Sequence, residues 1–240
     1  MSEKKSAENE HASRIREMFA SIATRYDFLN HLLSGNTDKK WRKILATRIG
    51  ERLESDGSWI LDVACGTGDL SLTLFETTGA KVVATDFCRP MLQVAAGKMP
   101  KAVDLVEGDA LSLPFADGSF EAVTIAFGLR NLASVEAGLR ELFRVVKPEG
   151  WVAILEFSKP PSRVFGAFFA LYFNKVLPLL GGIVSGSKSA YSYLPNSVQK
   201  FPDQEELSRL MSRVGFDQVR YENLTGGIAA LHLARRPQWI

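Results

Sequence analysis

The sequence predicts an α/β fold: a seven-stranded, mostly parallel sheet with helices on both faces and one antiparallel edge strand. Three observations carry this. Between residues 59 and 156, five short apolar runs alternate with segments of helical periodicity, the pattern of a parallel sheet covered on both sides. A glycine-rich turn, Cys65-Gly66-Thr67-Gly68, joins the first apolar run to the helix after it, where open α/β sheets place their ligands. Two last runs, about 216–223 and 228–235, are separated only by Leu224-Thr225-Gly226-Gly227. That link is too short for a crossover, so the two pair as a hairpin and one edge strand runs antiparallel.

Each element follows from local signals. Ile15, Met18, Phe19, Ile22 and Tyr26 recur at three- and four-residue spacing, which predicts an amphipathic helix over 13–29. Residues 34–38 break the chain, with Asp38 as an N-cap, and a second helix runs from about 39 to 53. Residues 59–64 suit a buried parallel strand, and 69–76 read as a helix. Residues 81–86 form the second strand. Pro90 opens the next helix at its first turn, where a missing N–H costs nothing. Residues 103–107 and 120–126 are the third and fourth strands. Ser134 caps a helix that turns Leu139, Leu142, Phe143 and Val146 inward; Pro148-Glu149-Gly150 stops it, and 151–156 is the fifth strand. A last helix spans 202–214, with Gly215 just past its end.

Of the 240 residues, 46% are hydrophobic and 23% charged, which excludes a disordered or fibrous chain and suits one well-cored domain. Basic and acidic residues number 29 and 27, without the one-sided excess of a nucleic-acid binder. Cys65 and Cys88 form no Cys-x-x-Cys pair, so neither a disulfide framework nor a metal site is expected, and a reducing compartment fits. Residues 1–12 are polar and lack the apolar stretch of a signal peptide. They are expected as a mobile tail on a cytoplasmic protein. A single domain over 13–240 follows, with 13–55 as a helical cap. Val164 to Val184 is apolar apart from Lys175 and is interrupted by Asn174, Pro178 and Gly181-Gly182. It reads as a lid, over 164–200, that grips an apolar ligand or touches a membrane surface, not as a span. The same apolar face could pair two copies of the chain.

The glycine turn gains weight from two carboxylates. Asp86 ends the second strand, where it can accept from the vicinal hydroxyls of a ribose. Asp109 follows the third strand, where it can accept from the amine of an adenine. Phe87 and Met91 can flank the base. Asp62, inside the first strand, can orient the turn or meet a cationic amino group. Gly66 and Gly68 let backbone approach a ligand closely. Two nucleoside ligands compete. A dinucleotide wants a small residue at the sixth position of Gly-x-Gly-x-x-Gly, where this chain has Ser71, and it leaves Asp109 without a task. S-adenosylmethionine uses both acids and is the preferred reading. A nicotinamide-dependent oxidoreductase and a non-catalytic nucleoside-binding scaffold are the alternatives.

Several segments carry a resemblance: residues 19–30, 61–70, Phe127-Gly128-Leu129-Arg130-Asn131, Leu155 to Pro160, Tyr191 to Ser197, and Gly227 to His232. Together they make the chain similar to the class I methyltransferases, and within them to the ubiquinone/menaquinone biosynthesis C-methyltransferases. The resemblance implies a Rossmann-like fold and S-adenosylmethionine as cofactor, with cofactor positions at Thr67, Asp86, Asp109 and Ala110. It also implies methylation of a ring carbon of a polyprenyl quinol, giving menaquinol or a ubiquinol precursor. Ala126 stands where some members have a serine, so a hydroxyl contact there is lost. Cys65 replaces a glycine common in related turns. Such chemistry requires a ring carbon made nucleophilic by losing the proton of a neighbouring hydroxyl, then alignment, which alone supplies about 7–11 kcal/mol in good cases. Arg130, just past the fourth strand, is expected to stabilise the forming phenolate, and Asn131 to orient the hydroxyl or a water. Arginine stays protonated, so the proton goes elsewhere; His232 is a candidate acceptor. Tyr26 and Asp27 are expected to cover the site, and Tyr191 and Tyr193 to line the quinol pocket.

Overall fold

Apolar side chains alternate along the strands, and that alternation splits the core into one layer on each face of the sheet. The computed structural model describes residues 2–27, 31, 34–54, 57–162, 166 and 188–238. Helices α1 (Ser2–Ile22) and α2 (Thr37–Gly50) precede β1 (Trp59–Val63), α3 (Asp69–Thr78), β2 (Lys81–Asp86), α4 (Arg89–Ala96) and β3 (Val103–Glu107). Then come β4 (Phe120–Ala126), α5 (Val135–Val145), β5 (Val146–Phe157), α6 (Lys188–Lys200), α7 (Gln204–Val214), β6 (Asp217–Leu224) and β7 (Ala229–Arg235). The seven strands form one sheet in the order β3-β2-β1-β4-β5-β7-β6. Strands β1 to β5 are parallel. Strand β7 runs against both β5 and β6, which makes that edge of the sheet mixed, as the short final link requires.

On one face Leu61, Val63, Val123, Ile125, Val152 and Ile154 pack with Leu139, Leu142 and Val145 of α5 and Leu207 and Met211 of α7. On the other, Ile60, Val82, Ala84, Ala122 and Leu231 meet Trp41, Leu45 and Ile49 of α2 and Leu70 and Leu74 of α3. The chain winds from β1 out to β3, then returns to β4 on the far side of β1. This reversal between β1 and β4 is where the strand ends open a crevice.

The elements depart from the sequence expectations in a few places. The first helix spans Ser2–Ile22 rather than 13–29, so it takes in residues expected as a polar tail, and a turn of 3₁₀ helix at Ala23–Arg25 follows it. Asp38 does not cap the second helix. Asn36, in a left-handed conformation, precedes it without a side-chain cap, and Asp38 sits buried inside the first turn. Ser134 does cap α5, accepting from the Ala137 N–H at 3.2 Å, a contact worth about 1 kcal/mol. Asp203 does the same for α7.

Pro148-Glu149-Gly150 stops no helix. Helix α5 has already ended at Val145, and these residues lie within β5, where the register to β4 shifts between the Phe120–Val146 and Ala122–Trp151 pairs. A bulge leaves residues outside the ladder, so a proline without an N–H is accommodated there. Among the described residues no helix is long and apolar enough to cross a membrane. Residues 163–165 and 167–187, and with them most of the expected lid, lie outside the described set.

Gly150 is required by close approach. A Cβ there would lie 2.8 Å from the Glu121 carbonyl oxygen and 2.9 Å from that of Lys147. Gly150→Ala should therefore cost about 1–3 kcal/mol by overpacking, read as a lower midpoint in urea denaturation with an unchanged slope.

Candidate functional site

The carboxyl ends of β1, β2, β3 and β4 enclose a cavity of about 1040 Å³, its open mouth included. Its wall carries Asp62, Ala64 to Thr67, Asp86, Phe87, Met91, Gly108 to Leu111, Ala126 to Gly128 and Asn131. Ile15, Phe19 and Tyr26 from the N-terminal segment, and Arg42 from α2, close it.

Two strained residues lie on this wall. Ala64 (φ 51°) and Phe127 (φ 58°) adopt left-handed conformations without being glycine, each costing of order 1–3 kcal/mol. Both follow a strand end and turn the chain away from the crevice. Gly66 (φ 58°) does the same, and a Cβ built on it meets nothing within 4 Å; that position opens onto space a ligand can fill. Gly68, expected beside the ligand, instead precedes α3 with the Met99 side chain over it, and it is absent from the wall.

The acids are placed by different means. Asp62 is buried and accepts from Ser71 Oγ at 2.6 Å and Thr124 Oγ1 at 3.1 Å. Those bonds tie β1 to α3 and β4, and each carboxylate oxygen accepts one of them. Burial pushes the Asp62 carboxyl up to about 7, against the two hydroxyls. Asp86 is buried and accepts the Gly66 and Cys88 N–H groups, each at 2.8 Å. Burial raises its pKa, opposed by those backbone donors. The Phe87 N–H bonds to the Asp86 carboxylate as well, which still leaves it capacity for a further donor. Asp109 is exposed at the rim and accepts from the Leu111 N–H at 2.9 Å. Phe87 and the buried Met91 lie on the wall near these acids. Ala110 and Ala126 also line it, the latter offering no hydroxyl. Burial pushes the Cys65 thiol well up, so it stays protonated.

The N-terminal segment reaches over the glycine turn. Asp27 accepts from the Thr67 hydroxyl and pairs with Lys98 Nζ at 2.7 Å, and Lys98 also pairs with Asp69 at 2.7 Å. His31 links Asp38 (2.8 Å) to Asp69 (3.5 Å), and Arg42 adds to the same network. Of this network the sequence points only to Asp27, Thr67 and Asp38. Asp38 and Arg42 stand at helical spacing, but nothing in that spacing says that they face a cavity.

Arg130 is a correction. It does not line the cavity. Its guanidinium forms a buried ion pair with Glu156 at 2.8 Å and donates to the Phe127 carbonyl, while its backbone N–H donates to the other Glu156 oxygen. A side chain committed in this way holds the 127–131 turn in place. Asn131 is on the wall, donating to the Phe127 carbonyl at 3.2 Å. Tyr193 donates to Asn131 Oδ1 at 3.1 Å and so reaches the site through Asn131; Tyr191's side chain lies outside the described residues. His232 is also corrected: it is buried in β7 against the Gln204 carbonyl at 3.0 Å, away from the cavity wall. Burial lowers its pKa.

Known proteins resemble the chain over nearly its whole length. The sequence pattern of the ubiE/COQ5 methyltransferase family matches residues 5–236. The demethylmenaquinone methyltransferase of Thermus thermophilus is 50% identical over 224 residues, covering 92% of this chain and 100% of that protein. The ubiquinone/menaquinone biosynthesis C-methyltransferase UbiE of Geotalea uraniireducens is 44% identical, over 95% of this chain and 98% of that one. Among solved structures, a putative methyltransferase bound to its Haloferax volcanii activator Trm112 has a TM-score of 0.65 at 16% identity, covering 91% of this chain and 97% of that one. A phosphoethanolamine N-methyltransferase of Haemonchus contortus also scores 0.65, at 15% identity, over 92% and 60%. These two likenesses speak for the fold.

Two outcomes follow from the buried charges. Arg130→Met should cost about 3–5 kcal/mol, because it strands the Glu156 carboxylate, and Arg130→Met/Glu156→Leu should recover most of that; urea denaturation of both variants checks it. Asp62 has a folded pKa above its unfolded value of about 3.9. The stability it contributes is therefore complete below that pH and is lost as pH rises towards about 7. The unfolding free energy of the native chain relative to Asp62→Asn should fall across that window, no more steeply than about 1.4 kcal/mol per pH unit. A flat difference means the carboxylate is ionised throughout.

Proposed function

The chain belongs to the ubiE/COQ5 methyltransferase family, and from that premise we propose that it transfers a methyl group from S-adenosylmethionine to a ring carbon of a polyprenyl quinol in quinone biosynthesis. The observation that carries the reading is the pairing of whole-length identity to demethylmenaquinone methyltransferases with a cavity whose wall holds acids at successive strand ends. The cavity fits the cofactor. Gly66 leaves open space, Asp86 has lone pairs to spare, and Phe87 and Met91 offer apolar surface. Asp86 would take the ribose hydroxyls, Asp109 and Ala110 the base edge, and Phe87 and Met91 its faces, with Thr67 at the turn. When bound, the cofactor supplies an electrophilic sulfonium methyl. Ser71, the partial miss in a dinucleotide fingerprint, donates to Asp62.

The chain's own contribution is positioning and exclusion of water. Asn131 reaches the cavity with its amide oriented by the Phe127 carbonyl and the Tyr193 hydroxyl. It would hold the ring hydroxyl, or a water that takes its proton. Arg130 sits one residue away and keeps the turn carrying Asn131 rigid through Glu156, so it acts as a positioning residue. Tyr26 and Phe19 close the cavity from the N-terminal side. The apolar segment 164–184 would take the isoprenoid tail, whose burial favours binding in proportion to its area, and would bring the chain to a membrane surface.

Calorimetric titration with S-adenosylmethionine should show binding, weakened by about tenfold or more in Asp86→Ala. Asn131→Ala should keep that binding and lose methyl transfer to demethylmenaquinol, followed by mass spectrometry of the quinol. No heat with the native chain, or normal turnover in Asn131→Ala, sinks the respective assignment.

A further inference from the structure

Two kinds of contact hold the N-terminal segment over the cavity, and they hold different parts of it. Where α1 ends, Ile22 and Ala23 are buried, Ile22 with Val198 of α6 and Ala23 with Cys88 and Met91. Asp27, a few residues on, is held by polar contacts instead. It accepts from the Thr67 hydroxyl and pairs with Lys98 Nζ at 2.7 Å. Between the two, the 3₁₀ turn at Ala23–Arg25 interrupts the α-helix, the kind of short break at which a helical segment hinges. Tyr26 lies between that turn and the polar contact. Its ring meets Phe19 edge-on at 5.8 Å, and both rings lie on the cavity wall.

Lys98, just past α4, is the centre of the polar contact. Its Nζ stands 2.7 Å from Asp27 and 2.7 Å from Asp69 at the start of α3. Asp69 also faces His31 and Arg42, whereas Asp27 meets no other cation among the described residues. The side chains of Lys98, Asp27 and Asp69 are 28%, 27% and 22% exposed. Ion pairs this open to water are weak and screened by salt, unlike the apolar anchor at Ile22 and Ala23. Without the ammonium, Asp27 and Asp69 would face each other as like charges. The segment that closes the cavity is thus fixed firmly at a hinge and loosely at its far side, by one shared cation.

We propose that Lys98 is the clasp of a gate: it sets how fast ligands enter and leave the cavity and adds little to how tightly they bind. This rests on the reading of the cavity as an S-adenosylmethionine site. A clasp closed alike in the empty and the loaded chain slows entry and exit together. Releasing it raises both rate constants and leaves their ratio, the affinity, unchanged. A residue that grips the ligand slows exit alone, and a residue that only stabilises the fold does not slow entry.

Stopped-flow tryptophan fluorescence with S-adenosylhomocysteine separates these cases. That ligand has no net charge, so salt alters its steering little. In the native chain, entry and exit should both quicken as salt rises from about 0.05 to about 0.5 M. In Lys98→Ala at low salt, both rate constants should rise by about threefold or more, while Kd changes by less than about twofold and salt has little further effect. Lys98→Arg should keep the native rates. Asp27→Asn releases the other end of the clasp and should behave as Lys98→Ala does, which keeps the test available should that variant fail to fold. Faster exit with unchanged entry makes Lys98 part of the ligand's grip and overturns the proposal, as do rates indifferent to both Lys98 and salt. If the native chain binds no S-adenosylhomocysteine, the cofactor reading itself falls and takes this inference with it.

Discussion

One carboxylate joins two strand ends. Asp86, at the end of β2, accepts the Gly66 N–H from the turn after β1 and the Cys88 N–H from its own turn. Neither N–H has a place in the sheet ladder once the chain has left it, and a buried N–H without a partner costs about 1–3 kcal/mol. Asp86 meets both needs from one side chain, at the expense of burying a charge whose pKa is raised as a result. The geometry of the crevice depends on this exchange. With Gly66 fixed to Asp86, the turn cannot collapse into the space beside it, and the floor of the cavity stays open.

A second set of polar contacts ties the N-terminal segment to that floor. Asp27, His31 and Asp38 come from the N-terminal segment, whereas Thr67, Asp69 and Lys98 follow β1 and β2. Several of these groups are only partly buried, so each contact is individually weak. Their joint effect comes from sharing partners: Lys98 spans two carboxylates, and Asp69 faces Lys98, His31 and Arg42. Helix α2 buries Trp41, Leu45 and Ile49 against the sheet, which sets where that helix lies. The ionic contacts then tie Asp27 and His31 to the turn after β1, to Asp69 and to Lys98.

Much of this was legible in the sequence, and the limits have physical causes. The strands 81–86, 103–107 and 120–126 were readable because buried parallel strands are continuous apolar runs with sharp ends. Asp86 and Asp109 were readable because a strand end followed by an acid places a carboxylate at the crevice whatever the rest of the fold does. Arg130 is legible as a residue of the turn after β4, but its ion pair with Glu156 is not. Its neighbour Glu156 lies on the adjacent strand β5, a pairing that no local spacing reveals. Arg42 went unremarked because it lies in an amphipathic helix where an arginine ordinarily marks the solvated face. Only the packing of α2 over Phe127 turns that residue inward. The bulge at Pro148–Gly150 was misread as a helix stop, since proline and glycine punctuate either structure equally.

Part of the buried charge and backbone strain in this chain gathers at one end of the sheet. Asp62, Asp86, the Arg130–Glu156 pair and the left-handed Ala64 and Phe127 all lie at or just past the carboxyl ends of β1, β2, β4 and β5. The two apolar layers lie along the lengths of the strands and hold the sheet together. Replacing a buried ion pair such as Arg130–Glu156 by apolar groups of the same shape is often neutral or stabilising, so a chain selected for stability alone would have little use for that pair at the sheet edge. Their cost is tolerable because the ladders of β1, β2 and β4 are already fixed by apolar packing below, which leaves the strand ends to carry strain and charge without loosening the sheet. The division explains why one cavity can present fixed dipoles to a ligand. The groups that face it are held by bonds made behind them, as Asp62 is by Ser71 and Thr124 and Asn131 by Phe127 and Tyr193. Little reorganisation is then needed when a reacting pair is aligned.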